Sequence, residues 1–461
     1  MRKIQVFLAC LVSRMMRAAL HLLGRGGTAL PGKAALKICP SLLSALGRGV
    51  DTVIVTGTNG KTTTTGMLRH MLDQSGTDYI SNRSGANLTS GISAEFIANA
   101  TIFGRPKKRL AVIECDEGNF PAAVEALQPR VILVTNLFRD QLDRYGEVTH
   151  TRDYLARGIE KAPNAVLCLN ADCSLTASLG TDVPNEVIYY RVDVACEQRE
   201  PNVSDAPNCL RCGGRYAYHF HTFAHLGDWY CLDCGAARPA PALAAVNVET
   251  SPGGKSQVAL RTPEGERSMT VALPALYNVY NALAAVTAGR AMGWGTENCI
   301  DALATFDAAF GRMETMTVGE TPVQIVLVKN PAGCDRALEY LASLPADILP
   351  IFCLNDNAAD GTDVSWIWDA DYESLFDARR YDKIGVYGIR AGDMRLRLKY
   401  AGADDSAITV YETVDALAEA VKTAGRNVYI LPNYTSMLTV RDKLSALAGG
   451  GKFWENTSGR H

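Results

Sequence analysis

The chain has 461 residues, enough for two or three domains with cores of their own, and is 47% hydrophobic and 21% charged, the balance of a globular protein. Its net charge of −3 excludes a bulk electrostatic pull toward nucleic acid or anionic lipid. Thirteen cysteines without a clean secretion signal fit a reducing compartment better than a disulfide framework.

In chain order, Met1-Arg2-Lys3 and the apolar run Ile4 to Val12 resemble the start of a signal peptide. Ser13-Arg14-Met15-Met16-Arg17 breaks that run, no small-residue cleavage site follows, and so short a run does not span a bilayer. Leu8, Leu11, Val12, Met15, Ala19, Leu22 and Leu23 recur at helical spacing. They predict an amphipathic helix, packed on the domain that follows or grazing a membrane surface; a cleaved signal is the third reading. A Gly-rich loop (24–27) and the turn Leu30-Pro31-Gly32-Lys33 lead to a second helix.

From residue 51 to about 200, strand-like runs (53–56, 110–115, 131–136, 165–170, 187–192) alternate with helical stretches, which argues a parallel sheet with crossover helices. The first strand runs into Gly57-Thr58-Asn59-Gly60-Lys61-Thr62-Thr63, and a helical stretch leaves it. That is the layout of a phosphate-binding loop: backbone N–H groups and the helix N-terminus face the anion, Lys61 neutralises β/γ charge and the Thr62 hydroxyl can ligate Mg²⁺. Val55 stands where the commonest form of such loops has Gly. Glu114 ends the second of these strands, beside the phosphate loop, where a carboxylate can hold the Mg²⁺ of bound ATP. Asp116 and Glu117, just beyond it, read more simply as a solvated acidic loop.

Residues 205–238 differ in kind. Cys209-x-x-Cys212, eighteen residues, then Cys231-x-x-Cys234 offer four thiolates to one Zn²⁺, with Gly213-Gly214 and Gly235 placed for knuckle turns. Four protein ligands imply a closed, structural site. No basic patch accompanies it, which argues against nucleic-acid binding. Residues 245–275 alternate as a β-meander, and 275–292 read as a helix opened by Asn278 and Asn281, residues that cap helices well. From about 318 a second α/β pattern begins, with strands at 323–328, 351–354, 383–387 and 428–431. The acidic segment 356–369 reads locally as a solvated loop.

Several of these motifs together resemble the Mur ligase and folylpolyglutamate synthase superfamily, which activates a carboxylate with ATP as an acyl phosphate for attack by an amine. The short Gly-Thr-Asn-Gly-Lys-Thr-Thr loop is its form. Thr135-Asn136-Leu137-Phe138-Arg139-Asp140-Gln141-Leu142-Asp143 is similar to its Thr-Asn-x-x-x-Asp-His-Leu-Asp motif, with Gln141 in place of the His. The loop 81–87, Asn281 within Asn278-Val279-Tyr280-Asn281, and Arg312 within Gly311-Arg312-Met313-Glu314 match further family motifs. The resemblance implies that Asn281 and Arg312 meet ATP.

Lys329-Asn330-Pro331 keeps the Asn-Pro of the amino-acid-adding ligases but not their Asp and His. With Asn355-Asp356-Asn357-Ala358-Ala359-Asp360-Gly361, residues 388–394, Leu431-Pro432-Asn433-Tyr434-Thr435 and the inserted ribbon, the chain resembles the MurT family. This implies a Mur ligase-type ATP domain (51–315) carrying a zinc ribbon at 205–238, a helical segment (1–50) packed on it, and a smaller Rossmann-like α/β C-terminal domain (316–461). It also implies amidation of the D-Glu α-carboxylate of lipid II, with ammonia from a GatD-like glutaminase subunit. The implied place is cytoplasmic, at the inner face of the plasma membrane, with transient contact with its surface and no nucleic acid. Asp356 would orient the partner's Cys–His pair across the interface. The chain supports the missing ammonia source independently, because Cys334 follows a poor nucleophile elbow and only seven His are present, three of them in the ribbon. Two rivals are an amino-acid-adding ligase and a zinc-ribbon P-loop protein that binds nucleic acid.

Overall fold

The computed structural model describes residues 2–22, 29–82, 86–139, 147–195, 205–250, 255–273, 275–306, 312–344 and 347–448. The chain divides into two units, Met1–Phe138 with Val148–Asp307, and Arg139–Glu147 with Ala308–His461.

The first unit opens with helices α1 (Arg2–Leu22), α2 (Leu30–Ile38) and α3 (Leu42–Leu46). Then come β1 (Asp51–Thr56), α4 (Lys61–Gln74), α5 (Thr89–Ala98), β2 (Leu110–Glu114), α6 (Phe120–Leu127) and β3 (Val131–Val134). After these follow α7 (Val148–Ile159), β4 (Val166–Asn170), α8 (Ser174–Ala177) and β5 (Val187–Val192). A hairpin, β6 (Tyr216–Phe223) and β7 (Leu226–Cys231), precedes β8 (Leu243–Thr250), β9 (Ser256–Thr262) and β10 (Gly265–Val271); α9 (Leu276–Ala291) and α10 (Thr296–Leu303) close the unit. The eight-stranded sheet has the order β10-β9-β8-β5-β4-β3-β1-β2. β2 through β8 pair parallel, and β9 and β10 extend the sheet antiparallel. Val53, Ile54, Val55 and Val131 to Val134 are fully buried, as continuous apolar strands covered on both faces must be.

Two local expectations change. The predicted strand 131–136 stops at Val134, because Asn136 turns its carbonyl to the Thr58 N–H at 2.8 Å. The expected meander forms as β8, β9 and β10 and joins the parallel sheet where β8 pairs with β5. On α1 the buried residues are Val6, Ala9, Cys10 and Ser13, while Leu8, Met15 and Leu22 of the expected packing face are 44%, 64% and 89% exposed. The helix packs on the unit by its small-residue side, which lets it approach α2 and α5 closely.

The second unit contains β11 (Arg312–Val318), β12 (Thr321–Val326), α11 (Pro331–Ser343), β13 (Ile348–Cys353), α12 (Tyr372–Ala378) and β14 (Ile384–Tyr387). α13 (Ala391–Tyr400), β15 (Ile408–Tyr411), α14 (Val414–Lys422), β16 (Asn427–Pro432) and α15 (Tyr434–Leu447) complete it. Its sheet runs β11-β12-β16-β13-β14-β15, parallel except for β11. The edge strands β11 and β15 had no signal as clear as the central ones; of the four residues of β15 only Ile408 is buried.

Candidate active site

The phosphate loop leaves the C-terminal end of β1, with β2 on one side and β3 on the other. Gly57 and Gly60 have φ of 116° and 85°. A Cβ at Gly57 would lie 2.5 Å from Thr135 Oγ1, and one at Gly60 2.1 Å from Asn281 Oδ1. Both the backbone conformation and the close approach therefore demand glycine. Around them the loop is tied down: Asn59 N–H donates to Asn136 Oδ1 at 2.9 Å, Thr135 Oγ1 donates to Asn59 O at 2.7 Å, and Phe138 N–H donates to Thr58 Oγ1 at 3.0 Å. The first turn of α4, from Lys61 through Thr63, points its amide groups along the helix axis at the loop's concavity.

Lys61 is buried, and its Nζ donates to Gly57 O at 2.5 Å and Glu117 Oε1 at 2.8 Å. Burial works against its charge, but Glu117, with Glu114 and Asp116, raises the ammonium above its ordinary value. Thr62 Oγ1 donates to Glu114 Oε1 at 3.0 Å. Glu114 is held by Asn82, which accepts its N–H at 3.0 Å and donates to its carbonyl at 2.7 Å. Asn281 accepts from Thr64 Oγ1 at 3.4 Å and donates to Asn278 at 3.3 Å. Neither Asn caps α9, whose N-cap is Ala275; both stand buried inside its first turns, and Asn281 lies against Gly60 of the loop.

The structure thus brings Gly57, Thr58, Asn59, Gly60, Lys61, Thr62, Thr63, Glu114, Asn136 and Asn281 together. Glu117, which reads in the sequence as solvated, is buried against Lys61. Its only sequence signal was its place three residues after Glu114 at a strand end. The Arg312 side chain, Asp140 and Gln141 lie outside the described residues.

The four ribbon cysteines converge. Their Sγ atoms lie within 4.8 Å of one another, with Cys209–Cys234 at 3.7 Å and Cys212–Cys231 at 3.5 Å. Gly213 and Gly235 turn each knuckle with φ of 78° and 70°. At Cys209 burial opposes ionisation, but the amides of Arg211 and Cys212 bring the thiol down to about 6, toward the thiolate a soft cation takes. The donor set fits a tetrahedral metal with no open position. The ribbon is anchored at its base: Trp229 Nε1 donates to Ala171 O at 2.9 Å, and buried Arg238 pairs with Asp172 at 2.7 Å, Asp193 at 2.9 Å and Asp228 at 3.1 Å. His225 lies buried with Nε2 3.5 Å from Cys173 Sγ, so it belongs to this base and not to the ribbon surface.

In the second unit, three segments singled out in the sequence meet at the C-terminal ends of β13, β14 and β16. Asn355 accepts the Ile389 N–H at 2.9 Å and donates to Thr435 at 2.9 Å, and Asn433 donates to Asn355 O at 2.6 Å. Asp356, on this platform, pairs with Arg390 at 3.1 Å. Asn330 caps α11 by accepting the Gly333 N–H at 2.8 Å. Cys334 is fully buried and donates to the Tyr372 hydroxyl; burial pushes the thiol up to about 12, so it is no nucleophile at neutral pH.

Comparison with known proteins adds the lineage. The Mur ligase middle domain matches residues 55–204 and the MurT ligase C-terminal model residues 327–437. The chain is 33% identical over 442 residues to the MurT subunit of lipid II isoglutaminyl synthase (glutamine-hydrolyzing) of Streptococcus pneumoniae, covering 95% of this chain and 97% of that protein. The Staphylococcus aureus (strain COL) subunit of the same name is 32% identical over 443 residues, covering 96% and 98%. Among solved structures, a pseudomurein peptide ligase type C from Methanothermus fervidus superposes with a TM-score of 0.64 at 23% identity, covering 86% of this chain and 79% of that one. The Mycobacterium tuberculosis folylpolyglutamate synthase, complexed with ADP and AMPPCP, does so at 0.61 and 15% identity, covering 92% and 99%. With its phosphate loop, sheet order and near full-length match, the chain belongs to the MurT family of Mur-type, ATP-dependent amidoligases.

Proposed function

We propose that the chain amidates the α-carboxylate of D-Glu in the stem peptide of lipid II to give D-isoglutamine. The carboxylate oxygen takes the γ-phosphoryl group of ATP, releasing ADP. Ammonia then attacks the acyl carbon, phosphate leaves with the C–O bond's electrons, and the nitrogen loses a proton. The observation that carries this reading is the cluster of Lys61, Thr62 and Glu114 at the phosphate loop of a chain in this family. Lys61 bears on the β/γ charge, and Thr62 and Glu114 would hold Mg²⁺, which neutralises phosphate charge when bound. Gly57 through Gly60, with the amides of Thr62 and Thr63, cradle the phosphates; Asn281 and Arg312 close on the nucleotide. Glu117 is a positioning residue that keeps Lys61 charged and aimed. The catalytic work is positioning and charge neutralisation.

Ammonia comes from a GatD-like glutaminase subunit in a heterodimer, and Asp356 is the orienting acid of that subunit's Cys–His pair. The ribbon cysteines hold one structural Zn²⁺. The chain works in the cytoplasm at the inner face of the plasma membrane. Its domains are the helical segment 1–50, the ATP domain 51–315 and the C-terminal domain 316–461. The test is amidation of lipid II by the purified chain with ATP, Mg²⁺ and ammonium, followed by mass spectrometry of the stem peptide. Conversion that stops when ATP is withheld supports the reading. ATP-dependent addition of a free amino acid instead of ammonia would replace it.

A further inference from the structure

The net charge hides an asymmetry. Residues 1–50 carry eight Lys and Arg and no Asp or Glu, whereas the rest of the chain carries 38 against 49. This cationic segment also bears an uncovered apolar stripe. Ile4, Leu8, Leu11, Met15, Ala18 and Leu22 recur at helical spacing along α1, and Ile4, Leu8, Met15 and Leu22 are 64%, 44%, 64% and 89% exposed. At 100° per residue they lie on the side of the helix opposite Val6, Ala9, Cys10 and Ser13, which pack into the first unit. Exposed Phe103 stacks on Phe7 at 5.7 Å and widens the stripe. Lys3, and Lys33 and Lys37 on α2, are exposed; Leu30, Lys33 and Lys37 share one side of α2.

We propose that α1 is a membrane-docking element that lies flat on a bilayer containing anionic lipid, with its outward stripe in the headgroup–acyl boundary and Lys3, Lys33 and Lys37 against lipid phosphates. Apolar side chains flanked by exposed cations, with no acidic residue in the segment, are the chemistry that recognises such a surface. A second copy would set the same cationic segment against itself. By length and composition Lys3–Leu22 could cross a membrane. Crossing would strip Val6, Ala9, Cys10 and Ser13 from their packing and take Arg14 from the carbonyls of Ala100 and Ile97, so the docked helix lies along the surface. This inference goes beyond the proposed amidation and stands without it.

The test is flotation of the full chain with vesicles of phosphatidylcholine, with and without phosphatidylglycerol. The wild type should float with the anionic vesicles, less at high salt, and stay behind with the neutral ones. Leu8→Glu/Met15→Glu, at exposed positions, should weaken binding at least about tenfold without lowering the melting temperature. Lys33→Glu/Lys37→Glu should weaken it and flatten the salt dependence, which keeps the test open if the first variant folds poorly. Failure of the wild type to float, or flotation of both variants at wild-type strength, overturns the proposal. So does a wild-type dimer that Leu8→Glu/Met15→Glu dissolves while neither protein binds vesicles.

Discussion

At the scale of single residues, the Lys61–Glu117 pair ties chemistry to stability. Both side chains are buried and each is the other's charged partner. Lys61→Ala should therefore do two things. ATP-dependent amidation should fall by about 10³ or more, as expected when a preorganised charge at the reacting phosphates is removed. Unfolding free energy should also fall by about 3 kcal/mol, because Glu117 is left buried and unpaired. In a double-mutant cycle with Glu117→Ala, the two stability losses should overlap by about 1 kcal/mol or more, read from urea unfolding. Additive losses would mean that the pair is not coupled in solution. Lys61 was legible from its place after Gly60, since only the loop's glycines, Lys and Thr in that order build a phosphate cradle. Glu117 was not, because nothing in a run of three acids says which one the fold turns inward.

At the scale of elements, the cysteine ribbon and its base make separate predictions. Elemental analysis should find one zinc per chain, and Cys209→Ser should lose the metal and lower the melting temperature, since such sites contribute folding free energy directly. A metal-free wild type of equal stability would rule the site out. Beneath the ribbon, burial pushes the Asp172 carboxyl up to about 6, against the pull of Arg238 and Tyr280. The native state thus holds this proton more tightly than the unfolded chain. Its contribution to stability is present at low pH and is lost as pH rises through about 6. Asp172→Asn removes this titrating group and leaves Arg238 with Asp193 and Asp228. The stability of the wild type relative to the variant should rise by about 1 kcal/mol on going from pH 7 to pH 5. An unchanged difference would show that Asp172 does not titrate in that range.

At the scale of the whole molecule, the proposed reaction is split between two chains, and the split can be read kinetically. Asp356→Asn should impair amidation driven by glutamine through the glutaminase subunit, by up to ~10⁴ where an orienting acid sets the imidazole tautomer. It should leave amidation from free ammonium close to wild type, at a pH where NH₃ is present. Lys61→Ala should fail with either nitrogen source. Equal loss of both activities in Asp356→Asn would place Asp356 in the synthetase chemistry or the fold of the second unit.

The phosphate loop, the central strands of both sheets and the two Cys-x-x-Cys knuckles were determined by the sequence itself, because each is a local pattern: an apolar run ending in glycines, or paired ligands at fixed spacing. Tertiary structure alone decided what depends on which surface is covered. Asn278 and Asn281 look like caps, yet α9 starts at Leu276, buries both and lays Asn281 beside the phosphate loop. His225 sits among ribbon aromatics in the sequence, but the hairpin's base buries it against Cys173. The meander joins the main sheet because β8 pairs with β5, a contact between strands some fifty residues apart. On α1 the apolar periodicity is plain, but periodicity cannot say which side meets the protein. Small residues at Ala9, Cys10 and Ser13 let the helix pack closely on that side, and the larger apolar stripe is left facing outward.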